Sequence, residues 1–161
     1  MRLPIRTILA PTDFSDASQE AVQAASDLAL TFGAELVLVH VVSALPSFRG
    51  NIAPTAPGFN IDMFQRDLIA DWGQELEALA GQLRAGDKEK RVRTIIKEGD
   101  PGGNIVELAE KEDVDLVVIA THGRTGFARF VFGSVAEKVV RRSSRPVLVI
   151  PAGRQSASKN G

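Results

Sequence analysis

Apolar residues in this chain fall into segments that switch between two periodicities. Thr7-Ile8-Leu9-Ala10 is a short, partly β-branched run that predicts a buried strand, ending at Pro11-Thr12-Asp13. Ser15 follows as an N-cap. Ala17, Ala21, Ala24, Ala25, Leu28 and Ala29 then recur at helical spacing up to Gly33, a C-cap residue. Glu35 to Val42 is almost continuously aliphatic, as a parallel strand covered on both faces requires. His40, inside that run, reads as a satisfied, half-buried strand residue. From Ser43 to Asn60 the periodicity disappears, and Pro46, Gly50, Pro54, Pro57 and Gly58 break the segment. A connection this long is either a functional lid or disordered.

Phe64, Leu68, Trp72, Leu76, Leu79 and Leu83 mark a long amphipathic helix ending near Gly86, with Trp72 assigned to its core face. Arg91 to Lys97 alternates charged and apolar residues, the pattern of an edge strand. After the Gly99-Asp100-Pro101 turn, Ile105, Leu108 and Ala109 carry a helix to about Glu112. Asp115–Ala120 is a further buried strand. Val135, Ala136, Val139 and Val140 mark a helix from Ser134, and Pro146–Pro151 is a last strand. The order β-α-β-α-β-α-β-α-β predicts an α/β domain: an open, five-stranded parallel sheet between two helical layers, with right-handed crossovers. In such sheets ligands bind beyond the carboxyl ends of the strands, where the winding reverses. If the first and fourth strands are the central pair, the loops there are Pro11–Asp13 and Thr121–Gly133.

Composition narrows the function classes. The chain has 161 residues and a net charge of −1, too little positive charge for nucleic acid to be its main partner. It has no cysteine, so no disulfide, thiolate nucleophile or thiolate metal site, and its two histidines exclude a His-rich metal site. No apolar run is long enough to span a membrane, and the opening Met-Arg-Leu-Pro-Ile-Arg has no leader pattern; a cytoplasmic protein is expected. The expected organisation is one domain over 1–151 and a flexible tail over 152–161.

The loop from 120 to 134 carries the most chemistry. A strand, a glycine-bearing loop and Ser134 at a helix start form a phosphate cradle, because unpaired N–H groups and the helix dipole favour an anion there. Ser134-Val135-Ala136-Glu137 also fits a capping box, which needs no ligand. Arg124 and Arg129 are either phosphate contacts or a solvated loop face. Phe127, Phe130 and Phe132 pack the loop onto the sheet edge or form a protein interface. His122 bonds either a phosphate or the neighbouring loop. Asp13 suits the hydroxyl groups of a ribose or, alternatively, caps the first helix in competition with Ser15. No Walker-type phosphate loop, dinucleotide fingerprint, nucleophile elbow or paired-carboxylate site occurs, so no catalytic residue is assigned.

From Ile8 to Pro151 the chain resembles the universal stress protein family. The likeness rests on the opening Ile-Leu-Ala-Pro-Thr-Asp-Phe-Ser, the Gly99-Asp100-Pro101 turn and the closing Ser-Ser-Arg-Pro-Val-Leu-Val-Ile. The family's ATP-binding branch carries Gly-x-x-Gly, nine residues, then Gly-Ser/Thr. Gly123, residues 124–132, Gly133 and Ser134 fit that spacing; Ala120 stands at the first glycine, where its methyl would crowd the ribose or adenine side. The resemblance implies a flavodoxin/Rossmann-like sheet of order 3-2-1-4-5 and bound ATP or AMP, with Mg²⁺ or Mn²⁺ accompanying the phosphates. It implies adenine near Asp13, Val41 and Ile119, and ribose near Pro11, Thr12 and Asp13. Phosphates would sit on His122-Gly123-Arg124 and Gly133-Ser134-Val135. It further implies a homodimer through Val147–Ile150 and a regulatory, non-enzymatic role in the stress response. A slow ATPase and a nucleotide-free interaction module are the alternatives.

Overall fold

The computed structural model describes residues 4–43, 61–86, 89, 91–121 and 133–151. Along it run β1 (Thr7–Pro11), α1 (Asp16–Phe32), β2 (Glu35–Val42), α2 (Ile61–Gly86) and β3 (Arg91–Glu98). They are followed by α3 (Pro101–Lys111), β4 (Leu116–Ala120), α4 (Ser134–Arg142) and β5 (Val147–Ile150). All strands are parallel and lie in the order β3-β2-β1-β4-β5. The two strands with polar alternation or short length, β3 and β5, are the edges.

The aliphatic strands are buried on both faces because each face carries a helical layer. Ile8, Ala10, Leu36, Leu38, Leu116 and Val118 meet Val22 and Ala25 of α1 and Leu76 and Ala80 of α2. The alternate residues Leu9, Val37, Val39, Val117 and Ile119 meet Ile105 and Leu108 of α3 and Ala136 and Val139 of α4. The small face of α1 (Ala21, Ala25, Ala29) is fully covered, which lets this helix lie close on the strands. Ser15 caps α1, and Gly33 ends it at φ 62°.

The strand register opens the site. β1 pairs with β4 at Ile8–Leu116 and Leu9–Val117 and no further. Beyond that point β1 stays with β2 to Pro11–Val39, and β4 stays with β5 to Ala120–Ile150. Pro11 has no N–H to extend the ladder. The central strands therefore part at their carboxyl ends, where the winding changes direction.

Several sequence expectations change. The N-cap of α4 is Gly133, with no side-chain cap bond, so Ser134 is the first helical residue and its capping box with Glu137 does not form. Asp115 precedes β4; its carboxylate accepts from the N–H groups of Arg6 and Thr7. The stripe on α2 is buried only in its second half, at Leu76, Ala80 and Leu83, while Phe64 is 46% exposed. The reason is length: 26 residues of helix span about 39 Å, against about 26 Å for the eight-residue strands β2 and β3. The first half of α2 overhangs the carboxyl edge of the sheet. Trp72 consequently belongs to neither core layer.

Candidate functional site

A cavity of about 440 Å³ opens where β1 and β4 part, within the range usual for small-molecule sites. It straddles the sheet edge. Pro11, Val41, Ile119 and Val135 line it from the α3/α4 side, with Pro101 and Ile105 beyond them. Thr12, Asp13, His40 and Ala120 line it from the crest and the α1/α2 side, with Leu68 and Trp72 from the overhanging helix. Gly133 and Ser134 close it at the start of α4. Pro11, Thr12, Asp13, Val41, Ile119, Ala120, Gly133, Ser134 and Val135 thus come together around one space. His122, Gly123 and Arg124, like Arg129 and the three loop phenylalanines, lie outside the described residues. The ends of their segment meet at the cavity, since Gly133 N–H donates to the Thr121 carbonyl at 2.7 Å.

Helix termini give the cavity its polarity. At α1, Ser15 Oγ accepts from Ser18 N–H at 3.2 Å. At α3, the Asp100 carboxylate accepts from Gly103 N–H at 2.7 Å and binds Lys138 Nζ at 2.7 Å. Each of those two N-termini thus has a side-chain cap on one of its N–H groups. α4 has no side-chain cap, and its first residues line the cavity, leaving the positive end of its dipole toward the space. Asp13 does not cap α1; its Oδ1 accepts from Ser15 Oγ at 2.5 Å and Ser15 N–H at 3.1 Å.

The β1–α1 loop is tightly held. Thr12 N–H donates to the Val39 carbonyl at 2.9 Å, and Phe14 N–H donates to Thr12 Oγ1 at 3.0 Å. His40 is 8% exposed and bonds through Nδ1 to the Thr12 carbonyl at 2.8 Å. A carbonyl only accepts, so Nδ1 carries the proton. Phe14 has φ 62°, a left-handed conformation that costs a non-glycine residue about 1–3 kcal/mol. Its ring stacks on Trp72 at 5.1 Å and 16°, with His40 tilted against both.

Of the cavity-lining residues that sequence reasoning did not assign to the site, His40 and Trp72 make the most specific contacts. His40 carried a signal, a polar residue near the carboxyl end of an otherwise aliphatic strand. Trp72 carried none, because its spacing matched the core stripe of α2. Among the described residues no group of three or more His, Asp or Glu side chains could hold a metal, and no helix is long and apolar enough to cross a membrane. A smaller cavity of about 220 Å³ lies at the opposite end of the sheet, between Gly33 and Arg91. That end receives the C-terminus of α1 rather than a helix N-terminus, so it lacks the polarity of the main cavity.

A doubly wound parallel sheet with a cavity at its switch point defines the class: a flavodoxin/Rossmann-like α/β domain. The signature of the universal stress protein family matches residues 4–151. Universal stress protein MJ0531 of Methanocaldococcus jannaschii is 37% identical over 145 residues, covering 90% of this chain and 81% of that protein. Universal stress protein YxiE of Bacillus subtilis is 31% identical over 147 residues, covering 89% and 97%. Among solved structures, MJ0577 of M. jannaschii superposes with a TM-score of 0.71 at 26% identity, over 93% of this chain and 98% of that one. Universal stress protein UspA of Lactobacillus plantarum shares the fold with a TM-score of 0.74 at 24% identity, over 92% and 99%. The chain belongs to the universal stress protein family.

Proposed function

We propose that this protein binds an adenine nucleotide, ATP or AMP, in the cavity between β1 and β4, and acts as a regulator whose state follows occupancy. The observation that carries the reading is the uncapped N-terminus of α4, which shares one space with Asp13 and an apolar wall. Phosphate oxygens are placed at the N–H groups of Ser134 and Val135, where the dipole favours an anion. Ribose hydroxyls donate to Asp13, and the base lies between Val41 and Ile119. His122, Gly123 and Arg124 complete the phosphate end. A Mg²⁺ or Mn²⁺ ion would enter on the phosphates rather than on a protein cage.

Two proteins of this fold have been solved with such ligands: a universal stress protein with cAMP, at 24% identity, and one from Archaeoglobus fulgidus with dAMP, at 21%. At those identities they speak for the fold, and the reading here rests on this chain's own residues. Isothermal titration with ATP and with AMP tests it. Binding of either, weakened by Gly133→Gln, supports the site; no heat at millimolar nucleotide rejects it. Prolonged incubation with ATP and Mg²⁺ separates a pure binder from a slow ATPase. The reading includes one domain over 1–151, a cytoplasmic location and a homodimer through β5, the edge strand on which Leu148 is 38% exposed. Sedimentation of Leu148→Lys against the parent chain tests the dimer.

A further inference from the structure

We infer that His40 and Trp72 are positioning residues for Asp13, holding the β1–α1 loop in the shape that lets the carboxylate select a ribose. The inference rests on the nucleotide reading above and adds to it how the ribose end is built.

Asp13 lies between two clamped neighbours. On one side Thr12 is fixed through three of its groups. Its N–H donates to Val39, its Oγ1 accepts from Phe14 N–H and meets Ser18 Oγ at 3.0 Å, and its carbonyl accepts from His40 Nδ1. On the other side Phe14 is held at φ 62°, a conformation that persists only when its surroundings over-determine it. The surroundings that do so come from other elements. The Trp72 ring of α2 stacks on Phe14 at 5.1 Å, and the His40 ring of β2 closes on both at 5.0 and 4.9 Å. Both residues also line the cavity that Asp13 lines.

The Asp13 carboxylate is held within the loop by Ser15, and the backbone on either side of it is set by two side chains that the loop does not contain. A carboxylate earns selectivity for a hydroxyl pair only if it is fixed before the ligand arrives, since a mobile acceptor spends the interaction on its own ordering. Removing the His40 donor frees the Thr12 peptide, and removing the Trp72 ring frees Phe14 to leave the left-handed region. In either case the base wall at Val41 and Ile119 and the phosphate end at α4 stay as they were. Loss should therefore fall more heavily on the ribose hydroxyls than on the base or the phosphates.

The experiment compares ATP with 2′,3′-dideoxy-ATP, which offers Asp13 no hydroxyl, on the full chain and on His40→Phe, Trp72→Leu and Trp72→Phe. The parent chain is expected to prefer ATP. His40→Phe keeps a ring but no donor, and is expected to weaken ATP about tenfold, the scale of one hydrogen bond to a charged group. Because His40 also lines the cavity, binding of the dideoxy nucleotide should fall too, but by less, so that the preference for ATP shrinks. Trp72→Leu should do the same, and Trp72→Phe, which retains a stacking ring, should restore the preference. If His40→Phe does not fold, the two Trp72 variants carry the comparison alone. Equal losses for both nucleotides, or no loss for either, overturn the inference. A parent chain that binds both nucleotides equally overturns it too while leaving the nucleotide site standing. A parent chain that binds neither rejects the nucleotide reading itself.

Discussion

His40 Nδ1 donates to the carbonyl oxygen of Thr12 at 2.8 Å, a buried contact between residues 28 positions apart. It ties the carboxyl end of β2 to the loop at the end of β1. The aromatic rings stacked beside it extend the tie to α2. Three elements distant in sequence therefore meet at the wall of one cavity.

That wall contains a natural reporter. Trp72 is the chain's single tryptophan, and there is no tyrosine. Because its ring borders the cavity and is half-buried, a ligand that displaces water from the space will alter its emission. Titration with AMP or ATP under excitation of tryptophan is expected to give a saturable change with the same midpoint as calorimetry. A saturable heat with no change in emission would place the ligand elsewhere.

Gly102 and Gly33 are predicted to resist alanine for opposite reasons. A Cβ on Gly102 would stand 2.6 Å from Lys138 Cδ and 3.1 Å from its Cβ and Cγ. Lys138 must turn its Cδ away, which strains its ion pair with Asp100, and α3 and α4 must give by a few tenths of an ångström at its Cβ. Gly102→Ala is expected to cost about 1–3 kcal/mol in urea unfolding, less than additively with Lys138→Ala. A Cβ on Gly33 meets nothing within 4 Å, but φ is +62°. Its alanine variant is expected to lose about 1 kcal/mol through the backbone alone.

Asp100 predicts a dependence on acid. A hydrogen bond from Lys138 Nζ, and after it one from Gly103 N–H, hold its carboxyl below the ordinary value of 3.8. The folded chain therefore takes up this proton less readily than the unfolded chain. The stabilisation is complete above the unfolded value and is lost as pH falls through the lower folded one. The side chain is 59% exposed, so solvent screens the pair and its share is under about 1 kcal/mol. Asp100→Asn keeps a cap acceptor and removes the charge. The stability difference between parent and variant is expected to be flat above about pH 5 and to shrink toward pH 2. A difference that widens in acid contradicts this account.

Ala120 is predicted to matter less for the ligand than its place in the glycine pattern implies. Along β4, Leu116 and Val118 face α1 and α2, while Val117 and Ile119 face α3 and α4. Alternation puts the Ala120 methyl on the α1/α2 side, away from Val41 and Val135. Ala120→Gly is expected to leave nucleotide affinity within about twofold, since the proposed base contacts do not change and the ribose side, which Ala120 shares with Asp13, loses only a methyl. It should lower stability by about 0.5–1 kcal/mol through strand entropy. A large gain in affinity would show that the methyl crowds the ligand.

Much of the fold was legible in the sequence because it rests on local regularities. Short, continuous, β-branched runs at Glu35–Val42 and Leu116–Ala120 read as strands covered on both faces, and the alternation with helical spacing leaves few topologies. Ser15 and Gly33 marked the ends of the first helix because capping is a matter of one residue and its next turn, whereas Asp100, legible only as part of a turn, is shown by the structure to cap α3. The loops Pro11–Asp13 and Gly133–Val135 were legible as site material because glycine, hydroxyl and carboxylate at strand ends carry chemistry wherever the sheet places them.

Other features depended on distances between elements. Nothing local says that α2 outruns its strands, so Trp72 read as core and became a cavity wall. Nothing in the Ser134–Glu137 spacing says that Gly133 takes the capping position, which leaves α4 uncapped toward the cavity. His40 read as a satisfied strand residue, and only the register of β2 against β1 brings its Nδ1 to Thr12. The sequence by itself determined which segments are strands and helices and which residue types lie near the strand ends, because periodicity and capping act within a few residues. Only the tertiary structure decided which side chains share the cavity and which hold its loop, because those depend on element lengths and strand register, set by packing across the whole sheet.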